Sequence, residues 1–137
     1  MASMHVRIVC PEHLAYEGDA AFLVLPSTDG SMGVLPRHAS EICTIEAGFV
    51  RICDERMGEV SHEFAVGTGY VQVADDNVII LAERAEDLAE VTIQELQARL
   101  ESFEEKLGNL SEDDAHRAYL YNEISWCKLL LGKVRAA

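Results

Sequence analysis

Through about Arg84, apolar and polar residues alternate over short runs separated by glycine or acidic turns. Phe49-Val50-Arg51-Ile52-Cys53-Asp54 and Tyr70-Val71-Gln72-Val73 carry the period of two that turns one face of a strand toward a core. The pattern predicts eight strands: His5–Cys10, Leu14–Glu17, Ala20–Leu25, Glu41–Ala47, Phe49–Asp54, Ser61–Val66, Tyr70–Ala74 and Val78–Glu83. Gly18, Gly48, Gly58, Gly67 and Asp75-Asp76-Asn77 punctuate them. Many short strands at this spacing predict a sandwich or barrel, not a parallel α/β sheet.

After Glu86 the period changes. Ile93, Leu96, Leu100, Phe103 and Leu107 recur at helical spacing, giving one apolar stripe. Thr92-Ile93-Gln94-Glu95 reads as a capping box and Gly108-Asn109 as a stop. Ser111-Glu112-Asp113-Asp114 predicts the start of a second helix, with the stripe Leu120, Ile124, Cys127, Leu131 and Val134. A short link makes the two helices an antiparallel hairpin. The expected fold class is therefore α+β: an antiparallel β-sandwich over 1–86, then a two-helix hairpin over 87–137. Two helices alone are marginal in water, so the hairpin is expected to be the mobile half. Tyr119, Trp126 and Leu130 lie off its seam. They either pack on the β-domain or cap the hairpin, or they form a protein-binding face, including one that joins two copies.

The chain has 137 residues and a net charge of −13, from 11 basic and 24 acidic residues. That balance repels phosphate backbones and anionic lipid, so neither nucleic acid nor direct lipid insertion is expected. Apolar runs such as Val78–Ala82 fall far short of the roughly 20 residues of a membrane helix. The first residues lack the basic region and apolar core of a signal peptide. Cys10, Cys43, Cys53 and Cys127 form no C-x-x-C pair and read as reduced thiols. Cys10-Pro11-Glu12-His13 with His62 is the only arrangement that suggests a metal, and it lacks the second paired motif zinc requires. No G-x-S-x-G, H-E-x-x-H or phosphate-binding loop is present, and Asp75-Asp76 and Asp113-Asp114 sit where turns and helix starts want acids. No catalytic residue, metal or cofactor is expected. The rival class is a small β-sandwich enzyme or metal-binding protein that dimerises through its hairpin.

One stretch stands apart. Asp29-Gly30-Ser31-Met32-Gly33-Val34-Leu35-Pro36-Arg37-His38-Ala39 comes after the apolar run Ala21–Pro26. Its two glycines permit a tight reversal with positive φ, and Pro36 stiffens the backbone around it. The stretch therefore reads as a rigid turn holding Arg37 and His38 at one end of a sheet. Together with Phe22–Pro26, Gly67-Thr68-Gly69-Tyr70-Val71-Gln72-Val73 and Asn77–Ala85, in that order, it resembles the epsilon subunits of bacterial F-type ATP synthases. The two-part layout is also shared with the delta subunit of the mitochondrial enzyme.

The resemblance implies a non-catalytic rotor subunit in proton-driven ATP synthesis, peripheral on the cytoplasmic face of the bacterial plasma membrane. In that family the sandwich binds the gamma subunit and rests on the membrane rotor ring. Its glycine turn and histidine face the ring, which points to Asp29, Gly30, Ser31, Met32 and His38; the acid common in the family at Ser31 is missing here. The family's hairpin extends toward the catalytic alpha and beta subunits and restrains ATP hydrolysis. The corresponding basic residues are Arg117, Lys128, Lys133 and Arg135, beside Tyr119, Trp126 and Leu130. Some members bind ATP through an (I/L)-D-x-x-R-A motif. Here that stretch is Leu88-Ala89-Glu90-Val91-Thr92-Ile93, with Ala89 for the acid and Thr92 for the arginine, so ATP binding there is not expected.

Overall fold

A computed structural model describes residues 3–136. They form two compact units, one ending at Ala89 and one beginning at Glu90. The first is built from strands β1 (Met4–Val9), β2 (Leu14–Ala20), β3 (Phe22–Ser27), β4 (Gly30–Val34), β5 (Glu41–Ile45), β6 (Gly48–Cys53), β7 (His62–Val66), β8 (Gly69–Ala74), β9 (Asn77–Ala82) and β10 (Ala85–Asp87). They join in the order β10-β7-β6-β3-β5-β8-β9-β1-β2, with β4 hydrogen-bonded to β3 off this path. All pairs are antiparallel except β1 with β9, whose parallel register sets His5 beside Asn77 and Val9 beside Leu81. The sheet folds back on itself: the Tyr16 ring of β2 lies 5.1 Å from the His62 ring and 5.5 Å from the Phe64 ring, both on β7.

Alternation dictates the core. Val6 and Ile8 on β1, Leu23 and Leu25 on β3, Val50 and Ile52 on β6, Val71 and Val73 on β8, and Val78 and Ile80 on β9 are buried in one cluster. At roughly 1.5–3 kcal/mol for each fully buried aliphatic side chain, this cluster is the main support of the unit.

Three expectations are corrected. Gly18 does not end a strand: β2 runs through it, paired with Val6. Gly30–Val34 is a strand rather than part of one long turn, since Gly33 pairs with Val24 and leaves room for the Phe22 ring, 3.2 Å from where a Cβ would stand. Ala85–Asp87 forms an additional strand on β7, straddling the expected boundary at 86.

In the second unit α1 spans Ile93–Gly108 and α2 spans His116–Ala136. Thr92 caps α1 with its hydroxyl on the Glu95 N–H at 3.1 Å, as the capping box requires. The acidic run does not begin α2. The chain stays in turns through Ala115, and Asp114 caps the helix, its carboxylate accepting the His116 N–H at 2.9 Å and its carbonyl the Arg117 N–H at 3.1 Å. The link is thus longer than its sequence suggests.

Candidate functional site

Two ends of strand β4 carry the residues singled out in the sequence. At one end Thr28 and Asp29 form the tip of the β3–β4 hairpin, between the paired Ser27 and Gly30. Gly30 has φ of +115°, a conformation that side chains resist. The Ser27 hydroxyl donates to the Gly30 carbonyl at 2.6 Å and accepts the Asp29 N–H at 3.3 Å. The Thr28 N–H reaches the Thr44 carbonyl at 3.3 Å, and the two threonine hydroxyls meet at 3.1 Å, which ties the tip to β5. Asp29, Gly30 and Ser31 are exposed, while Met32 tucks against the core. The result is a rigid, polar tip with a single carboxylate.

At the other end of β4, Leu35–His38 make a second turn, closed by the His38 N–H on the Leu35 carbonyl at 3.1 Å. Arg37 is left-handed, with φ of +67°, and its N–H donates to the Asp76 carboxylate at 2.6 Å. Asp76 also accepts the His5 N–H on its carbonyl at 2.8 Å. His38 is half-buried; its Nδ1–H donates to the Ala39 carbonyl at 2.7 Å and its Nε2 lies 3.8 Å from Glu41. The structure therefore groups Asp29, Gly30, Ser31 and Met32, and places His38 apart from them, with β4 between. Sequence spacing alone could not reveal this, because a strand with two glycines reads as a turn.

The outer face of β5, β8, β9, β1 and β2 is graded. Register aligns Tyr70, Leu81, Val9 and Leu14 in one row across four strands. Tyr70 and Leu14 are about half exposed, and Ile42, on β5 beside this row, is 70% exposed. A groove of about 410 Å³ lined by Val9, Pro11, Tyr70 and Leu81 continues the row. The opposite edge is charged. His5 stands between Glu17, at 2.6 Å from its Nε2, and Asp19, at 3.1 Å from its Nδ1. Hydrogen bonds to Glu17 and then Asp19 hold its imidazole above the usual histidine pKa. Elsewhere, burial and then the Asp54 and Asp19 charges raise the Tyr16 phenol.

In the hairpin, Leu120, Ile124, Cys127 and Leu131 of the α2 stripe are buried, whereas the α1 stripe is buried at Leu96 alone: Leu100, Phe103 and Leu107 are half-buried and Ile93 is exposed. Trp126 and Leu130 are buried too, whereas Tyr119 is half exposed and stacks on the His116 ring at 4.9 Å. Lys128 and Arg135 are exposed and Lys133 is half-buried. Arg117 is occupied locally: Nη1 is 3.4 Å from the carbonyls of both Leu107 and Leu110, and Nη2 donates to the Tyr121 hydroxyl at 3.1 Å.

Among the described residues no group of three His, Cys, Asp or Glu side chains is placed to hold a metal ion. His62 instead faces the Asp54 carboxylate at 3.3 Å. Thr92, at the arginine position of the nucleotide motif, commits its hydroxyl to the α1 cap. No described helix is long and apolar enough to cross a membrane.

Comparison with known proteins adds relatives for both units. Residues 3–88 match the family described as ATP synthase, Delta/Epsilon chain, beta-sandwich domain. The chain is 32% identical over 123 residues to the ATP synthase epsilon chain of Hyphomonas neptunium, covering 90% of each. It is 37% identical over 121 residues to that of Alkalilimnicola ehrlichii, covering 85% of this chain and 83% of the relative. Its fold is similar to a chain in the cryo-EM structure of Euglena gracilis mitochondrial ATP synthase, with a TM-score of 0.72 and 20% identity over 98% of this chain and 82% of that one. A chain of the Tetrahymena thermophila central stalk and c-ring structure gives a TM-score of 0.60 at 19% identity, with 96% of each covered.

Proposed function

The chain belongs to the delta/epsilon family of ATP synthase subunits, and from that premise we propose that it works in the central stalk, linking the gamma subunit to the membrane rotor ring during proton-driven ATP synthesis. It is an epsilon-type, non-catalytic subunit of the complex. The observation that carries the stalk role is the graded outer face of the sandwich. Ile42, Tyr70, Leu81, Val9 and Leu14 offer a partner a continuous apolar surface on rigid strands, bordered by charge. Aromatic and aliphatic anchors of this kind carry most of the energy of protein contacts. We assign this face to gamma. The Thr28–Ser31 tip, polar and braced against β5, suits the ring's polar loops, with Asp29 supplying the acid that Ser31 lacks. His38, beyond β4, belongs to a separate contact. In this role the chain sits on the cytoplasmic face of the bacterial plasma membrane, held by its partners. The hairpin restrains ATP hydrolysis at the catalytic subunits, using Lys128, Lys133 and Arg135.

Calorimetric titration of the full chain with purified gamma subunit tests the assignment. Tyr70→Asp combined with Ile42→Asp is expected to weaken binding by roughly tenfold to a hundredfold, with Asp29→Ala unchanged. Equal binding by all three proteins would refute the assigned face. No binding by the unaltered chain would refute the stalk role itself.

A further inference from the structure

We propose that Arg117 is a latch that keeps the two helices folded together, so that its natural role is in the compact hairpin and not in the inhibitory contact. Its consequence in the complex rests on the regulatory reading of the hairpin.

Helix α1 ends at Gly108, and the last carbonyls of any helix lack partners within it. Asn109 and Leu110 turn their N–H groups back toward Lys106 and Leu107. Arg117, in the first turn of α2, then reaches across the link to the carbonyls of Leu107 and Leu110, at 3.4 Å each. Its other nitrogen is held by the Tyr121 hydroxyl at 3.1 Å, one turn along the same helix, and the guanidinium lies 5.6 Å over the Tyr121 ring. One planar side chain therefore closes the end of one helix from the start of the next. The α1 C-terminus favours a cation on dipole grounds, and the planar fork of arginine holds its donors in fixed directions, one nitrogen on the two carbonyls and the other on the hydroxyl, where the single ammonium of lysine would have to reach all three from one point.

The position suits a releasable contact. Arg117 is half-buried, and a groove of about 600 Å³ beside it is lined by Glu104, Glu112, Tyr121 and Lys128. Water reaches the guanidinium, so its bonds exchange without unfolding the seam. Apolar stripes are non-directional and tolerate sliding; the fork fixes one register and one closed end. While the latch is closed, both Nη groups of Arg117 are engaged within the hairpin, so an acidic partner must compete with these contacts for the side chain.

Amide hydrogen exchange on the full chain tests this. Arg117→Ala is expected to speed exchange between Leu107 and Tyr121 by on the order of tenfold. Tyr121→Phe, which removes one hydroxyl and keeps the ring, should give a smaller rise, and Arg117→Lys should not restore the natural rate. Unchanged β-unit exchange reports that each variant is folded. Exchange in Arg117→Ala equal to that of the unaltered chain would overturn the latch. In the reassembled ATP synthase, Arg117→Ala should inhibit hydrolysis more strongly than the unaltered chain, because more hairpins open. Weaker inhibition would overturn the proposal in favour of a direct inhibitory contact. Faster exchange with unchanged hydrolysis would support the latch and overturn the regulatory reading instead.

Discussion

The β-unit buries its apolar residues from every strand direction: Val6, Leu23, Val50, Val71 and Ile80 come from five strands and meet in one cluster, each essentially without solvent contact. Helix α1 contributes one fully buried residue, Leu96, while Leu100, Phe103 and Leu107 remain half-buried. The sandwich is cross-linked by pairings distant in sequence, whereas the hairpin is held by neighbours along the chain, a capping threonine at one end and Arg117 at the other. A unit of the second kind opens locally at lower free energy than one of the first. Resistance to local opening and ease of it are thus divided by the sequence between the sandwich and the hairpin.

Truncating one core residue in each unit gives the largest contrast. Leu23→Ala and Leu120→Ala both delete a fully buried leucine, and each should cost about 2–5 kcal/mol. The expected difference lies in where the loss falls. Leu23→Ala should lower the urea midpoint of the sandwich, while Leu120→Ala should accelerate exchange across α1 and α2 and leave the sandwich midpoint in place. A common shift of all amides in both variants would show that the two units unfold as one.

Thr92→Ala removes the hydroxyl that caps α1 and should cost about 1 kcal/mol, visible as faster exchange at Glu95 and Leu96. If those amides keep their rates, the cap contributes nothing and the hairpin is more robust than its burial suggests.

The smallest effect is electrostatic and confined to the sandwich edge. The folded pKa of His5 is raised above its ordinary 6.5 by Glu17 and Asp19, so the protonated form is favoured in the folded chain. Its stabilisation is fully present below about pH 6.5 and fades as pH climbs through the raised value. Exchange along β2 should therefore quicken on going from pH 6 to pH 8.5 beyond the intrinsic rate change, and His5→Gln should abolish that dependence. A pH response identical in His5→Gln would place its origin elsewhere.

Much of the fold was legible where one face of an element is buried. β1, β6, β8 and β9 obey alternation because a slip of one residue would turn Val71 or Ile80 toward water. The Thr92 cap and the α2 stripe were equally plain, while the α1 stripe marks a helix face of which only Leu96 is buried. The features that periodicity misses depend on neighbours. β4 contains Gly30 and Gly33 and becomes a strand through pairing with β3 and the Phe22 ring above Gly33. β10 is a short polar segment made a strand by β7. The acids at Glu112–Asp114 carry a helix-start signal, but only Asp114 serves as the cap, because the chain still has to turn before Arg117 can reach α1. The candidate tip was readable by composition. Its separation from His38 was not, since that distance is created by a strand the glycines disguise.

The parallel pairing of β1 with β9 sets an order of events during synthesis. β1 is made before the other strands of the sandwich, and it pairs with β2, the next to follow, by a local turn. Its other neighbour, Asn77–Leu81, emerges only after nearly the whole sandwich has been made. Until then Val6 and Ile8 lack the strand that lies beside them in the finished sheet, and the sandwich cannot close. Closing so long a loop is slow compared with zipping two adjacent helices. The rigid half of the molecule is therefore committed late, at the moment the chain that will become the hairpin begins to appear.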